Sequence, residues 1–407
     1  MSEYYVLDTS TIFDYIQREL NYFAEDADIQ CNEIGDGNLN LVFRIVDRKN
    51  SKSIIVKQSL PYVRCVGEDW PLNINRAEIE NNILEIEYEL TDGLVPKIYK
   101  FDPVMYATLM EDLSDHVIMR TGLLELNQYP RFIDQITDFM VKTLLLTSDV
   151  VMDHQKKKEL VKQFINPELC DITEALVYTE PFYDAERNNI DDFMIEFMED
   201  NVWNDNEFKL EVAKLKFDFM TNAQALLHGD LHTGSIFVKE DSTKVIDPEF
   251  AFYGPIAYDV GALVANLVMN YISTDSIIED EEKREDHKEY LLDTTREVID
   301  VFKEKFLKLF DEVVTDEMAK LPGFKEWYLD NIIIDTAGVT GCEMIRRTVG
   351  LAHVKDLDDI PKIEKKAEAK KINVFMAKEF IMNRKEIKTG QDFIDIVNHY
   401  YKQEVTA

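Results

Sequence analysis

Basic residues and cysteines are scarce in this sequence of 407 residues. Only 45 lysines and arginines stand against 79 aspartates and glutamates, which gives a formal net charge of −34 at pH 7. Because such a surface repels phosphate backbones, the composition argues against a nucleic-acid partner. Cys31, Cys65, Cys170 and Cys342 lie far apart without a CxxC pair. The sequence therefore indicates neither a zinc site nor a disulfide framework, and we expect a protein of the reducing cytoplasm.

Long apolar runs are missing as well. The longest covers residues 260–269, contains Asn266 and is too short to cross a bilayer. Hydrophobic residues nevertheless make up 45% of the chain and aromatic residues 11%. We expect a globular protein without a membrane span, long enough for two or three domains.

Two short acidic segments carry the clearest chemistry. The first, LHGDLHTGS at 227–235, places Asp230 between two histidines, and the second, VIDPE at 245–249, contains Asp247 and Glu249. The apolar runs around them and their spacing predict a hairpin with its turn at 240–243. Carboxylates two residues apart suit the Mg²⁺ that accompanies ATP, and a third can orient an attacking hydroxyl. An isolated Asp before Gly or Pro is usually turn chemistry, but the pair at this spacing favours phosphoryl transfer.

The first 113 residues are predicted to form a small β-sheet with two helices. Helical spacing covers residues 9–23, and further helical spacing covers 76–90. Alternating runs bounded by turn residues predict an antiparallel meander with strands at 29–34, 41–46 and 53–58, and two further strands at 95–101 and 106–110. The segment at 67–72, which contains Trp70, is expected to be a loop.

A glycine-containing segment and a lysine in this sheet are candidate phosphate contacts. GDGNLN at 35–40 resembles a glycine-rich loop whose backbone N–H groups cover phosphates. A plain hairpin turn is the alternative, because Asn40 stands where the GxGxxG pattern has its third glycine. Lys57 ends an apolar strand, where a lysine either reaches solvent or pairs with an anion. Glu80 on the following helix is its candidate partner, and a solvated helix face is the alternative.

Helical spacing dominates the rest of the chain. We predict helices over 129–148, 155–164, 206–227 and 259–271, with charged surface segments at 279–289 and 362–371. The fold class is therefore α+β, with a small antiparallel sheet lobe over residues 1–113 and a larger, mainly α-helical lobe over residues 114–407.

Two adjacent arginines are candidates for the acceptor side. Arg346 and Arg347 follow Glu343 by three and four residues, so an intrahelical ion pair is the simpler interpretation. Alternatively the guanidinium groups face a cleft, where their fixed donors suit sugar hydroxyls or a product phosphate.

The chain resembles the small-molecule branch of the protein-kinase-like phosphotransferase superfamily, of the aminoglycoside phosphotransferase and choline kinase type, and within it the 5-methylthioribose kinases. The resemblance covers most of the chain. It rests on MEDLS at 110–114, NPELCDITE at 166–174, HGDLHTGS at 228–235, DPEFAFYGP at 247–255 and GCEMIRRTVGLAHV at 341–354.

This resemblance implies a two-lobed kinase fold, ATP and Mg²⁺ as cofactors, a cytoplasmic homodimer, and phosphorylation of the 1-hydroxyl of 5-methylthioribose in methionine salvage. It makes Asp230 the catalytic base beside the substrate, Arg346 and Arg347 the sugar contacts, and the Trp70 loop a cover over the sugar. The residues that it assigns to ATP are Gly35, Gly37, Asn38, Asn40, Lys57, Glu80, Glu111, Asp112, Leu113, Asp247, Pro248 and Glu249.

The sequence departs from the wider kinase pattern at two positions. Ser235 stands where an asparagine metal ligand is usual, so the metal set implied is Asp247, Glu249 and Ser235, with the second ion in doubt. Gly229 replaces the arginine of the HRD motif, and activation by phosphorylation is therefore not expected. Two rival functions remain: an aminoglycoside or choline-type phosphotransferase, whose cationic acceptor the negative charge would attract, and an inactive kinase-like binding protein.

Overall fold

The computed structural model describes residues 3–35, 40–63 and 67–404. It divides into two compact units. The first comprises Met1–His116 and Lys244–Ala251, and the second comprises Val117–Thr243 and Phe252–Ala407. The sequence predicted a boundary between residues 113 and 114, which would place residues 244–251 in the C-terminal lobe. The functions assigned to the two lobes stay predictions.

The first unit is built on a five-stranded antiparallel sheet. The predicted three-stranded meander is confirmed by Ile29–Ile34, Asn40–Asp47 and Lys52–Ser59. The two further predicted strands are present, but Ala107–Met110, not Ile98–Asp102, pairs with the third strand, so the spatial order is β1-β2-β3-β7-β6. Its core forms where the buried face of the sheet meets helix α1, through side chains such as Tyr15, Ile16, Phe43 and Val56. The main elements of this unit are α1 (Ile12–Leu20), β1 (Ile29–Ile34), β2 (Asn40–Asp47), β3 (Lys52–Ser59), β4 (Tyr62–Val63), β5 (Gly67–Pro71), α2 (Arg76–Thr91), β6 (Ile98–Asp102) and β7 (Ala107–Met110).

The expected loop at residues 67–72 is wrong. β5 pairs with β4 in antiparallel fashion, with Tyr62 opposite Pro71. The backbone N–H of Leu72 donates to the carbonyl of Pro61 at 3.1 Å, which closes the base of this small hairpin. The backbone groups of β5 find their hydrogen-bond partners in β4, and the sequence of residues 67–72 alone does not reveal that pairing.

The second unit is mainly helical, as predicted, and its central helix is buried along most of its length. This helix, α9, contains the longest apolar run of the sequence, and a helix that is apolar on all sides is typical of a core position. Among the described residues, no helix is both long and apolar enough to cross a membrane. The helices are α3 (Met119–Leu124), α4 (Phe132–Leu146), α5 (His154–Gln163), α6 (Pro167–Leu176), α7 (Asp192–Met198), α8 (Asn206–Thr221), α9 (Ala257–Ile277), α10 (Glu281–Val313), α11 (Phe324–Val349), α12 (Lys355–Asp358), α13 (Ile363–Met382) and α14 (Gly390–Glu404), with short 3₁₀ or π segments at Glu180–Phe182, Glu199–Trp203 and Arg384–Glu386.

Short strands deliver the two acidic segments. They are β8 (Val117–Ile118), β9 (Ala225–Leu227), β10 (Ile236–Lys239), β11 (Ser242–Val245) and β12 (Phe252–Gly254). The predicted hairpin is β10 and β11, although its turn is shorter than expected because β11 already begins at Ser242.

Two predictions about helices are wrong in part. The helix expected over 206–227 ends at Thr221, because residues 225–227 pair with β12 and the N–H of Leu226 donates to Thr147. The segment at 362–371 is not all surface. The side chain of Lys370 is fully buried, and its charge is compensated by Asp191 at 2.6 Å and Asp358 at 2.9 Å.

Candidate active site

A buried carboxylate fixes the loop that carries Asp230. Asp259, in the first turn of α9, accepts hydrogen bonds from the backbone N–H groups of His228 at 2.7 Å and Gly229 at 2.9 Å. Gly229 adopts a left-handed conformation with φ of 81°, which glycine reaches without strain. Sequence reasoning assigned no role to Asp259, because its partners lie some thirty residues away in the chain. Its two contacts fix the backbone directly before Asp230.

Asp230 is surrounded by positive charge or proton donors. Its Oδ2 lies 3.4 Å from Nε2 of His232, and its Oδ1 lies 3.7 Å from Nη2 of Arg347, while 28% of the side chain stays exposed. Burial acts to raise the pKa of Asp230, but His232, Arg347 and Arg346 outweigh it and hold the pKa well below its usual range. The carboxylate is therefore ionised and able to accept a proton.

Arg346 and Arg347 share one carboxylate on α11. Oε1 of Glu343 accepts a hydrogen bond from Nε of Arg347 at 2.6 Å, and Oε2 accepts one from Nη1 of Arg346 at 2.9 Å. The intrahelical ion pair that the spacing suggested is thus present. It leaves Nη2 of Arg347 and Nε of Arg346 buried without a hydrogen-bond partner. Since buried donors are nearly always paired, these two N–H groups are suited to a bound ligand with acceptor oxygens.

A third arginine, which sequence reasoning missed, belongs to the same unit. Arg120 in α3 donates from Nη2 to Oδ1 of Asn266 at 2.7 Å, and its Nε lies 3.4 Å from Oδ2 of Asp356. Burial lowers the pKa of Arg120, and Asp356 opposes that effect. Its partners are more than a hundred residues away in the chain, so no local pattern pointed to it.

In the first unit, Lys57 joins two carboxylates. Its Nζ donates to Oε1 of Glu80 at 2.7 Å and forms a second, short contact with Oδ1 of Asp247. The ion pair that we expected between Lys57 and Glu80 is present. Burial alone would lower the pKa of Lys57, but Asp247 and Glu80 reverse this and raise it. Burial raises the pKa of Glu80, and Lys57 only partly offsets it because Asp247 and Glu249 add negative charge.

Glu249 is held by two residues of the same unit. Its Oε2 accepts hydrogen bonds from Nδ2 of Asn40 at 3.0 Å and from Nε of Arg76 at 3.3 Å, and Arg76 also donates to Oδ1 of Asn40 at 2.9 Å. Burial and the charge of Asp247 raise the pKa of Glu249 despite the neighbouring cations. Sequence analysis predicted no role for Arg76 other than its position at the start of α2. The side chain of Asn40, predicted as part of the nucleotide loop, is directed to Glu249.

Asp247 and Glu249 supply carboxylate oxygens, the donor type that Mg²⁺ prefers. Three carboxylates, Glu80, Asp247 and Glu249, meet two cationic side chains, Lys57 and Arg76. Asp247 adopts φ of 68°, uncommon for a residue with a side chain, and 44% of its side chain is exposed. In the described ranges no group of three or more His, Cys, Asp or Glu side chains is arranged to hold a metal. A Mg²⁺ at Asp247 and Glu249 would therefore take further oxygens from phosphate and water, as this ion usually does.

The remaining predicted site residues have the following positions. Oγ of Ser235 donates to the carbonyl of Asp230 at 2.9 Å, so in this structure the hydroxyl supports its own loop. Glu111 follows β7 and pairs its backbone N–H with the carbonyl of Lys97 at 2.9 Å.

Asp112 accepts a hydrogen bond from Nε of Arg44 at 2.7 Å, whereas Leu113 and Pro248 are buried. Gly35 has open space where a side chain would stand. Gly37 and Asn38 lie outside the described residues. For Trp70 only the backbone, in β5, is described. None of these observations tests the binding roles, which stay predictions.

Comparison with known proteins gives three kinds of match. Residues 203–298 match the model of the phosphotransferase enzyme family. The methylthioribose kinase of Bacillus pumilus (strain SAFR-032) is 43% identical over 384 residues, covering 94% of this chain and 94% of the relative. The methylthioribose kinase of Geobacillus sp. (strain WCH70) is 45% identical over 373 residues, covering 92% of this chain and 91% of the relative. Among solved structures, the Plasmodium vivax ethanolamine kinase aligns with a TM-score of 0.48 and 15% identity, covering 93% of this chain and 91% of that chain.

Proposed function

The chain belongs to the methylthioribose kinase family, and from this premise we propose that it transfers the γ-phosphoryl group of ATP to the 1-hydroxyl of 5-methylthioribose. The products are 5-methylthioribose 1-phosphate and ADP, and the reaction belongs to methionine salvage. The observation that carries this proposal is the pairing of an ionised Asp230 with Arg347, whose buried Nη2 has no hydrogen-bond partner.

On the acceptor side, Asp230 is the general base. It accepts the proton of the 1-hydroxyl as the oxygen attacks phosphorus, and its depressed pKa keeps it ready at neutral pH. Arg346 and Arg347 bind the sugar hydroxyls, each with the N–H group that Glu343 leaves unpaired. The Trp70 segment closes over the sugar. Because Glu343 already fixes both guanidinium groups, little side-chain entropy is lost when the sugar binds.

On the nucleotide side, Lys57 contacts the phosphates of ATP and Glu80 orients it. Gly35, Gly37, Asn38 and Asn40 cover the phosphates, and the segment Glu111, Asp112 and Leu113 binds the adenine. Lys57 is only 11% exposed and is held between two carboxylates, which supports a fixed position for its charge. Fixed charges that need no reorganisation are what phosphoryl transfer requires of the protein.

Asp247 and Glu249 hold Mg²⁺, next to Pro248 in the same turn. The ion, when bound, neutralises charge on the phosphate oxygens. Arg76 and Asn40 keep Glu249 in place, and the exposed part of Asp247 is the accessible side of the cluster. Ser235 is the third member of the proposed metal set, and its hydroxyl would reach the ion through a water molecule.

We further propose a cytoplasmic homodimer that binds neither nucleic acid nor membrane. Cys31, Cys170 and Cys342 are free thiols, which supports a reducing compartment. Light scattering after size exclusion tests the dimer, with a molar mass of twice 47.5 kDa as the expected result.

An ADP-release assay tests the proposed reaction. The protein is incubated with ATP and Mg²⁺ and, in parallel, with 5-methylthioribose, choline or an aminoglycoside. We expect ADP release that depends on 5-methylthioribose. Release with choline or an aminoglycoside alone would support the rival phosphotransferase, which the negative net charge favours and the two arginines disfavour. No ADP release with any of these acceptors would leave the inactive binding protein as the better account.

A further inference from the structure

His232 has three polar neighbours within its own loop. Its Nδ1 accepts a hydrogen bond from the backbone N–H of Gly234 at 2.9 Å and lies 3.4 Å from Oγ of Ser235, and its Nε2 lies 3.4 Å from Oδ2 of Asp230. Only 14% of the side chain is exposed. The ring therefore connects the backbone of its own loop to the carboxylate that we assign as the base.

The first contact determines where the proton of the ring is. A backbone N–H can only donate, so Nδ1 must offer its lone pair, and the single proton of a neutral imidazole is then on Nε2. The geometry thus describes a neutral ring with its Nε2–H directed at Oδ2 of Asp230.

The loop is shaped around this ring. A Cβ added at Gly234 would stand 2.6 Å from Cε1 of His232 and 2.9 Å from Nη1 of Arg120, so no side chain fits there without displacing one of them. Arg120 also donates its backbone N–H to the carbonyl of Thr233 at 3.0 Å. Gly234 and Arg120 therefore both restrict the space that the ring can occupy.

We propose that His232 is a positioning residue for the base. It donates its Nε2–H to Oδ2 of Asp230 and thereby reserves Oδ1, the oxygen that faces Arg347, for the acceptor hydroxyl. The hydroxyl proton then moves to Oδ1 as the new O–P bond forms and the bond from phosphorus to ADP breaks, while His232 keeps its own proton. A separation of 3.4 Å is long for such a bond, and catalytic hydrogen bonds often shorten only when substrate is bound. The proposal depends on the assignment of Asp230 as the base.

Two substitutions separate this role from simple support of the loop. In His232→Gln, the side-chain amide nitrogen stands near the position of Nε2 and retains a donor to Asp230, but the acceptor for Gly234 is lost. In His232→Asn, the amide oxygen stands near the position of Nδ1 and retains the acceptor for Gly234, but the donor to Asp230 is lost. Circular dichroism and thermal unfolding first establish that both variants are folded.

We expect His232→Gln to retain kcat within about threefold, and His232→Asn to lose roughly tenfold to a hundredfold in kcat, with the KM for ATP unchanged in both. A role limited to the loop predicts the opposite order. The proposal is overturned if His232→Asn is as active as His232→Gln or more active, at whatever level.

A spectroscopic measurement keeps this inference separate from the assignment of the base. Nitrogen chemical shifts of ¹⁵N-histidine-labelled protein, with His232→Asn for assignment, are recorded between about pH 6 and pH 8, the range in which an ordinary histidine changes its charge. We expect a neutral ring protonated on Nε2 throughout. A ring protonated on Nδ1, or on both nitrogens, overturns the inference even if Asp230 is the base. Full activity of Asp230→Asn would instead show that Asp230 is not the base, and the catalytic role of His232 would fail with it even if the tautomer is as expected.

Discussion

Nη2 of Arg347 lies 3.7 Å from Oδ1 of Asp230, and this arginine nitrogen is buried without a hydrogen-bond partner. The two groups attract each other without forming a hydrogen bond. A ligand hydroxyl that accepts from Arg347 and donates to Asp230 would satisfy both groups. The relationship therefore connects sugar binding and proton removal at one place.

The first prediction concerns the base itself. Asp230→Asn keeps the shape of the side chain but cannot accept a proton, so kcat should fall by roughly a hundredfold to ten thousandfold. The affinity for ATP should change little, because Lys57 and Asp247 are intact. Steady-state kinetics and calorimetric titration with ATP measure the two quantities. Turnover at the level of the unchanged protein would show that another group takes the proton.

The second prediction concerns the sugar side. Arg347→Lys keeps a positive charge but loses the planar donor pair, so the KM for 5-methylthioribose should rise about tenfold or more, with the KM for ATP unchanged. Lysine is preferred to alanine here because Glu343, 2% exposed, would otherwise lose one of its two charged partners. Arg131→Lys, at an exposed arginine, is the control. Weakened ATP binding instead of sugar binding would remove Arg347 from the acceptor site.

The third prediction concerns the nucleotide side. Glu80→Gln removes one of the two carboxylates that hold Lys57, so Lys57 should be drawn towards Asp247 and the KM for ATP should rise by roughly fivefold to twentyfold. Glu78→Gln, at an exposed position on the same helix, removes the same charge and should have no such effect. If both variants bind ATP equally well, Glu80 does not orient Lys57.

The fourth prediction concerns stability and pH. Burial, with the nearby charge of Asp218, raises the pKa of Asp335 in α11 to about 6. A carboxyl group whose pKa is raised on folding favours the folded state below its unfolded pKa and disfavours it once pH rises through the folded value. Asp335→Asn should therefore increase the free energy of unfolding by about 1 to 2 kcal/mol at pH 7.5, with the gain vanishing near pH 4.

Urea unfolding at the two pH values measures this difference. Asp330→Asn on the same helix controls for the loss of one negative charge from a strongly acidic chain. A gain for Asp335→Asn that is equal at both pH values, or equal to that of Asp330→Asn, contradicts the prediction.

The sequence was sufficient for the elements whose signal is local. The meander, α1 and α2 follow from periodicity, and Glu343 lies three and four residues from its arginines on one helix. The chain reversal at residues 62–71 and the end of α8 at Thr221 were missed, because strand pairing with distant segments decided both. Local propensity gives no information on such partners.

The same distinction applies to the candidate site. Asp230, Asp247 and Glu249 were found because their spacing is visible in one stretch. Asp259, Arg76 and Arg120 were assigned no role, because each acts on a group that lies far away in the chain. Residues that hold a site in place are thus recognisable mainly from the folded structure.

The most direct test of the central claim is the ³¹P NMR spectrum of the reaction of ATP, Mg²⁺ and 5-methylthioribose with the protein. The account predicts that ADP appears together with one new phosphate ester, coupled to the anomeric proton, and that both form at least about a hundredfold more slowly with Asp230→Asn. A phosphate on another hydroxyl, inorganic phosphate alone, or an unchanged rate with Asp230→Asn would contradict it.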